Sequence, residues 1–226
     1  MDGGFITAMR TGAVSGVATK HMARKDAAVG TVFGTGVQAF TQVLAIHEVR
    51  PLRRLLTWSI DALEARQSFA GRVSREIGVP VELADDPASA VRQSEIIVLA
   101  TSAAEPIVDG SWFMPGTHIN GIGSHTPKTR ELDTRTVGRS RVVCDLTDAC
   151  RAEAGDFIIP VQAGAWSWDK VAGDLGDVIL GKVPGRTSPE EITLFKSVGL
   201  AIQDVSAARA VYDEAVRRGI GTEFQF

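Results

Sequence analysis

The chain has little cysteine, few aromatic residues, almost no imbalance of charge and no long apolar run. Its two cysteines, Cys144 and Cys150, form no C-x-x-C. They can build neither a disulfide framework nor a four-ligand zinc site, so two reduced, partly buried thiols are expected, and no metal. Lys and Arg number 24 against 27 Asp and Glu, a formal charge of −3 with a pI near 5.8. That balance offers no basic field to nucleic acid. Apolar runs such as residues 95–100 are far too short to cross a bilayer. Met1-Asp2-Gly3-Gly4 supplies neither a basic n-region nor an apolar h-region, which predicts a cytoplasmic protein without a secretory signal. Aromatics at 6% argue against an aromatic-rich β sandwich.

What is present is aliphatic and glycine-rich: 44% of residues are hydrophobic and 23 of 226 are glycine. Short aliphatic runs alternate with amphipathic stretches, the pattern of βαβ units around a parallel sheet. Strands are predicted over residues 28–33, 55–60, 79–83, 95–100, 118–122 and 141–144. Helices are predicted over 10–25, 37–49 and 62–76, with short helical links at 87–92 and 132–137. The expected fold is therefore α/β, a Rossmann-type doubly wound parallel sheet over residues 27–148. Beyond it, Pro160, Pro184-Gly185 and Pro189 punctuate loops before one long helix predicted over 193–218. Val198, Ala201, Ile202, Val205, Ala208 and Val211 recur there at helical spacing, a stripe read as core packing.

Gly34-Thr35-Gly36-Val37-Gln38-Ala39 is a G-x-G-x-x-A turn between a predicted strand and a predicted helix. The first glycine permits the turn, the second lets backbone approach a pyrophosphate, and the helix N-terminus faces the anion. The next strand ends Trp58-Ser59-Ile60-Asp61, with Ser59 where an acid reading the adenosine ribose is expected and Asp61 two residues late. The choice between NAD and NADP stays open and leans to NADP, because Ser59 offers a 2′-phosphate no repulsion. Thr101-Ser102 and Gly121-Ile122-Gly123-Ser124-His125 follow two further strands at their carboxyl ends, where open α/β sheets bind ligands. His125 is the histidine best placed to act as an acid; His21, His47 and His118 show no metal-ligand spacing. Arg10 is expected at a helix N-terminus, where it opposes the dipole and is a candidate for holding a substrate carboxylate.

Several segments together resemble the ornithine cyclodeaminase/mu-crystallin family. They are Ile6-Thr7-Ala8-Met9-Arg10-Thr11-Gly12-Ala13, the G-x-G-x-Q-A turn, Asn120-Gly121-Ile122-Gly123-Ser124-His125-Thr126-Pro127 with Arg130-Glu131-Leu132-Asp133, Pro184-Gly185-Arg186, and Phe195-Lys196-Ser197-Val198-Gly199 with Gln203-Asp204. The resemblance implies an NAD(P)-dependent oxidoreductase that reduces a small ketimine or imino acid, or interconverts an amino acid with its 2-oxo acid. It implies that Arg10 holds the substrate carboxylate and that Ser197 and Val198 lie near the substrate. Gly34, Thr35, Gly36, Val37, Gln38, Ser59, Thr101, Ile122 and Gly123 would contact the cofactor. His125 stands where cyclodeaminases of the family carry an Asp acid, and Thr129 where they carry a Lys, which argues against ornithine cyclodeamination proper. The family's usual N-terminal portion is absent. Residues 1–26 and 149–226 are thus expected to be pieces of a substrate and dimerisation domain, in a homodimer when that portion is present. The alternatives are an inactive NAD(P)-binding homologue and an ornithine cyclodeaminase.

Overall fold

A computed structural model describes residues 1–222. Its centre is an eight-stranded sheet, parallel throughout, in the order β3-β2-β1-β4-β5-β8-β6-β7. The strands are β1 (Val29–Phe33), β2 (Arg54–Trp58), β3 (Val81–Leu83), β4 (Ile96–Leu99), β5 (His118–Gly121), β6 (Ser140–Cys144), β7 (Val171–Asp174) and β8 (Ile192–Lys196). The central strand β4, Ile96-Ile97-Val98-Leu99, is a continuous apolar run because both faces of the sheet are covered. The chain moves outward from β1 to β3, then returns to β4 on the other side of β1. The crevice outside the carboxyl ends of β1 and β4 is therefore the topological switch point.

Two helical layers cover the sheet. Helices α1 (Gly3–Met22), α2 (Val37–Val49), α3 (Leu63–Ile77) and α8 (Leu175–Ile179) pack on one face through Met22, Val43, Ile46, Phe69, Val73 and Val178. On the other face, α4 (Pro87–Arg92), α5 (Thr134–Arg139), α6 (Thr147–Glu153) and α7 (Gly155–Gln162) contribute Val91, Val137, Cys150 and Phe157. Cys144 of β6 and Cys150 of α6 are free thiols, wholly rather than partly buried between the sheet and this second layer. Helix α1 crosses α2 at very close range. A Cβ on Gly12 would lie 2.5 Å from the Thr41 carbonyl oxygen, and one on Gly16 would lie 2.9 Å from that of Ala45.

Three expectations change. Helix α1 begins at Gly3, capped by the Asp2 carboxylate, which accepts from Gly4 N at 2.8 Å and Phe5 N at 3.2 Å. Arg10 therefore sits within a helix rather than at its start, and the dipole argument for it falls. Residues 193–196 are strand rather than helix: β8 inserts between β5 and β6, so the sheet extends past residue 148. The tail helix is α9 (Ala201–Arg218), and none of its residues is buried. Val198 packs on the core, but Ile202, Val205 and Val211 face outward, so the stripe is not core packing.

Candidate functional site

Two clefts meet at the carboxyl ends of the strands. One, about 560 Å³, runs from Trp58, Ser59 and Asp61 past Gly34, Gly36 and Val37 to Ala100–Ala103. The other, about 280 Å³, is bounded by Thr7 and Arg10 of α1, by Ile122, Gly123 and His125 after β5, and by Ser197–Gly199 after β8. Gln38, Ala100 and Thr101 line both, so the two clefts adjoin along one crevice at the carboxyl ends of the strands. Apart from Thr35, every residue expected to touch cofactor or substrate lines one cleft or the other. Thr35 donates its hydroxyl to Asp61 at the rim.

The G-x-G turn is built as its residue types require. Gly34 has φ +102°, and a Cβ there would lie 2.5 Å from the Ala100 carbonyl oxygen, so only glycine fits. Gly36 is different: a Cβ would meet nothing within 4 Å, so its missing side chain leaves open space in front of α2. No side chain caps α2, and the Gln38 Oε1 atom is buried without a partner. An uncapped helix N-terminus behind an open glycine fits a dinucleotide diphosphate. At the far end, the Asp61 carboxylate reaches back to accept the Ser59 hydroxyl at 2.5 Å as well as that of Thr35. Those two hydroxyls, Ser59 first, hold its carboxyl below the ordinary range. The acid that seemed two residues late thus stands at the pocket after all.

In the second cleft Arg10 is pre-oriented. Its Nε donates to Asp204 Oδ1 at 3.0 Å and its Nη1 to Gln203 Oε1 at 2.9 Å, and the guanidinium lies over the Gly199 backbone, where a Cβ would come within 2.7 Å. The Nη1 and Nη2 edge keeps donors free for a carboxylate. The Ser197–Gly199 turn is held from below by Asp145. Its Oδ2 accepts from Ser197 Oγ, Val198 N and Gly199 N at 2.8, 2.9 and 2.8 Å. The Ser197 hydroxyl is spent on that bond. His125 is exposed at the rim, and its Nδ1 lies 2.9 Å from the Gly123 carbonyl. With Nδ1 as donor to that carbonyl, Nε2 is the free nitrogen.

A buried ionic cluster lies under the junction. Lys196 Nζ pairs with Asp156 Oδ2 at 2.7 Å, both side chains without exposure, and donates to the Ser124 carbonyl at 2.5 Å. Burial works against the Lys196 charge, but Asp156 and Glu131 outweigh it and keep the ammonium above its ordinary value. Glu131 is also fully buried, and burial pushes its carboxyl up. Asp145, Asp156, Gln203 and Asp204 escape sequence reasoning as site residues. The available signal was Lys196, a cation ending an apolar run. Among the described residues no group of three His, Cys, Asp or Glu is placed to hold a metal ion, and no helix is long and apolar enough to cross a membrane.

A Delta(1)-pyrroline-2-carboxylate reductase of Bacillus cereus is 35% identical over 227 residues, covering 100% of this chain and 69% of that protein. The structure of the Thermococcus litoralis Delta(1)-pyrroline-2-carboxylate reductase, in complex with NADH and L-proline, superposes with a TM-score of 0.96 at 42% identity, covering 99% of this chain and 69% of that one. An archaeal alanine dehydrogenase dimer with bound NAD gives 0.93 at 33% identity, covering 100% and 69%. The family profile described as ornithine cyclodeaminase/mu-crystallin matches residues 1–219, and the chain belongs to that family.

Proposed function

We propose that this chain is an NAD-dependent reductase of a small imino acid, or an amino-acid dehydrogenase acting on the same carbon. The observation that carries the reading is that the two clefts share Gln38, Ala100 and Thr101. A dinucleotide bound along Gly34–Gln38 would reach Thr101 and Gly123, which line the same cleft as Arg10. The nicotinamide would supply the hydride. The protein's part is orientation and charge placement. Arg10, held by Asp204 and Gln203, pairs with the substrate carboxylate, and His125 Nε2 exchanges a proton with the substrate nitrogen at the rim. Relatives whose structures hold NADH and NAD support the cofactor class.

The specific cofactor follows from Asp61. Ser59 alone leans to NADP, but the Asp61 carboxylate beside it suits a ribose hydroxyl and repels a 2′-phosphate, so NAD is the better reading. Asp61→Ala is expected to narrow the NADH over NADPH preference by about tenfold or more, the worth of ~1.4 kcal/mol. The test of function follows NADH oxidation with Δ1-pyrroline-2-carboxylate, then with pyruvate plus ammonium. Release of ammonia from ornithine is assayed alongside. Turnover of the cyclic imino acid is expected. Ornithine cyclodeamination in its place would overturn the reductase assignment.

The second reading is a catalytically inactive NAD(P)-binding homologue. Binding of NADH with turnover of none of these substrates would favour it. The homodimer is also proposed, supported by outward-facing Ile202, Val205, Tyr212 and Val216 on α9 and by the relative solved as a dimer. Sedimentation would show a single subunit mass if it is wrong.

A further inference from the structure

We infer that Glu131 is a positioning residue that staples together the two turns forming the floor of the nicotinamide end of the crevice. The inference rests on the dinucleotide reading above. Glu131 lies on neither turn. It follows the Thr126–Thr129 loop, and its own backbone N–H is fixed by Asp156 Oδ1 at 2.8 Å, which also accepts from Leu132 N at 2.9 Å. Its side chain reaches both turns at once. Oε1 accepts from Thr101 N and Thr101 Oγ1, each at 2.7 Å, at the end of β4. Oε2 accepts from Gly123 N at 2.7 Å and Ser124 N at 3.2 Å, at the end of β5.

Three of those four donors are backbone N–H groups, which can only donate, so both Glu131 oxygens serve as acceptors. Lys196, paired with Asp156, also holds the Ser124 carbonyl, so the second turn is gripped at both its donor and acceptor sides. The fit is tight. A Cβ on Gly123 would lie 2.2 Å from the Thr101 carbonyl oxygen and 2.4 Å from Glu131 Oε1. Thr101 and Gly123 line the crevice while Glu131 sits beneath them, so it acts through the turns and touches neither cofactor nor substrate.

The isosteric change Glu131→Gln replaces one acceptor oxygen with an NH₂ donor. Whichever way the amide turns, one of the two turns then has a backbone N–H facing a donor. That turn must move, and the nicotinamide end of the crevice moves with it. The adenosine and diphosphate end, at Asp61 and Gly34–Gln38, has no bond to Glu131.

Calorimetric titration with NADH and with ADP, which lacks the nicotinamide, reads this directly. In Glu131→Gln, NADH affinity is expected to fall about tenfold or more while ADP affinity changes less than about twofold. Glu131→Asp keeps a carboxylate but, one methylene shorter, cannot reach both turns. It is expected to lower NADH affinity by roughly threefold with ADP affinity changed less than about twofold, and it decides the matter if Glu131→Gln does not fold. Equal losses for both ligands, or no loss of NADH affinity, overturn the positioning role. A wild-type chain that binds neither ligand overturns the dinucleotide reading itself, and the inference with it.

Discussion

Asp145→Asn tests whether the substrate-side turn is held as described. Asp145 is almost wholly buried at the end of β6, where its two oxygens collect four polar donors. Oδ2 takes Ser197 Oγ, Val198 N and Gly199 N, while Oδ1 takes Leu146 N at 2.8 Å. Asparagine has the same shape but one acceptor oxygen fewer. If its oxygen faces the Ser197–Gly199 turn, the NH₂ meets the Leu146 N–H, and one bond is lost at a donor–donor contact. If the amide turns the other way, Val198 N and Gly199 N both lose their acceptor. The first arrangement wins, and its cost is one charge-assisted bond plus the conversion of three others to neutral ones, about 2–3 kcal/mol. Asp145→Ala removes every acceptor and opens a small cavity, so it should cost about 4–5 kcal/mol. Urea denaturation of the three proteins at pH 7.5 measures both values. A loss below about 0.5 kcal/mol for Asp145→Asn, or an alanine variant no weaker than the asparagine one, would refute the account.

Two further outcomes follow from other groups. Burial, and then the positive charge of Arg186, lower His118 from 6.5 to about 3, and Arg50 adds to the effect. The folded value lies below the unfolded one, so below pH 6.5 the unfolded chain takes up a proton that the folded chain refuses, and stability falls with pH. Between pH 7.5 and 5 this site should contribute a loss of about 2 kcal/mol that His118→Gln lacks; parallel pH profiles for the two proteins would count against it. Arg10→Lys cannot serve Asp204, Gln203 and a substrate carboxylate together. It should raise the imino-acid KM by about ten- to a hundredfold with NADH affinity unchanged, which steady-state kinetics and calorimetry would check.

What could be read directly from the chain was whatever is local. The turn at Gly34 and the bounds of α2 at Val37 and Val49 are legible because an aliphatic strand, two glycines and a helical pattern follow one another without interruption. The start of α1 was hidden by Gly3-Gly4, poor helix formers whose cost is met by the Asp2 cap. Residues 192–196 continue the apolar pattern of the following helix, and only Gly199, at φ +92°, marks the break. Helices α6, α7 and α8 span 7, 8 and 5 residues, too short for a periodic signal. Arg10 and His125, which line one cleft, were singled out through residue type and family resemblance. Asp145 was not, because it acts on residues 52 to 54 positions away. Glu131 reaches Thr101 across 30 positions, and no local pattern announces such a bond.

The insertion of β8 between β5 and β6 has a consequence for how the molecule assembles. Until residues 192–196 have left the ribosome, β5 and β6 each present an unpaired edge, and the sheet exists as two fragments. The strand that joins them comes after most of the chain, so the closing step links residues roughly fifty to seventy-five positions apart. Such pairing is slow and leaves apolar edges open to other chains while it waits. A chain truncated before Ile192 should therefore be prone to aggregate, whereas one truncated within α9, which buries no residue, already holds a complete sheet.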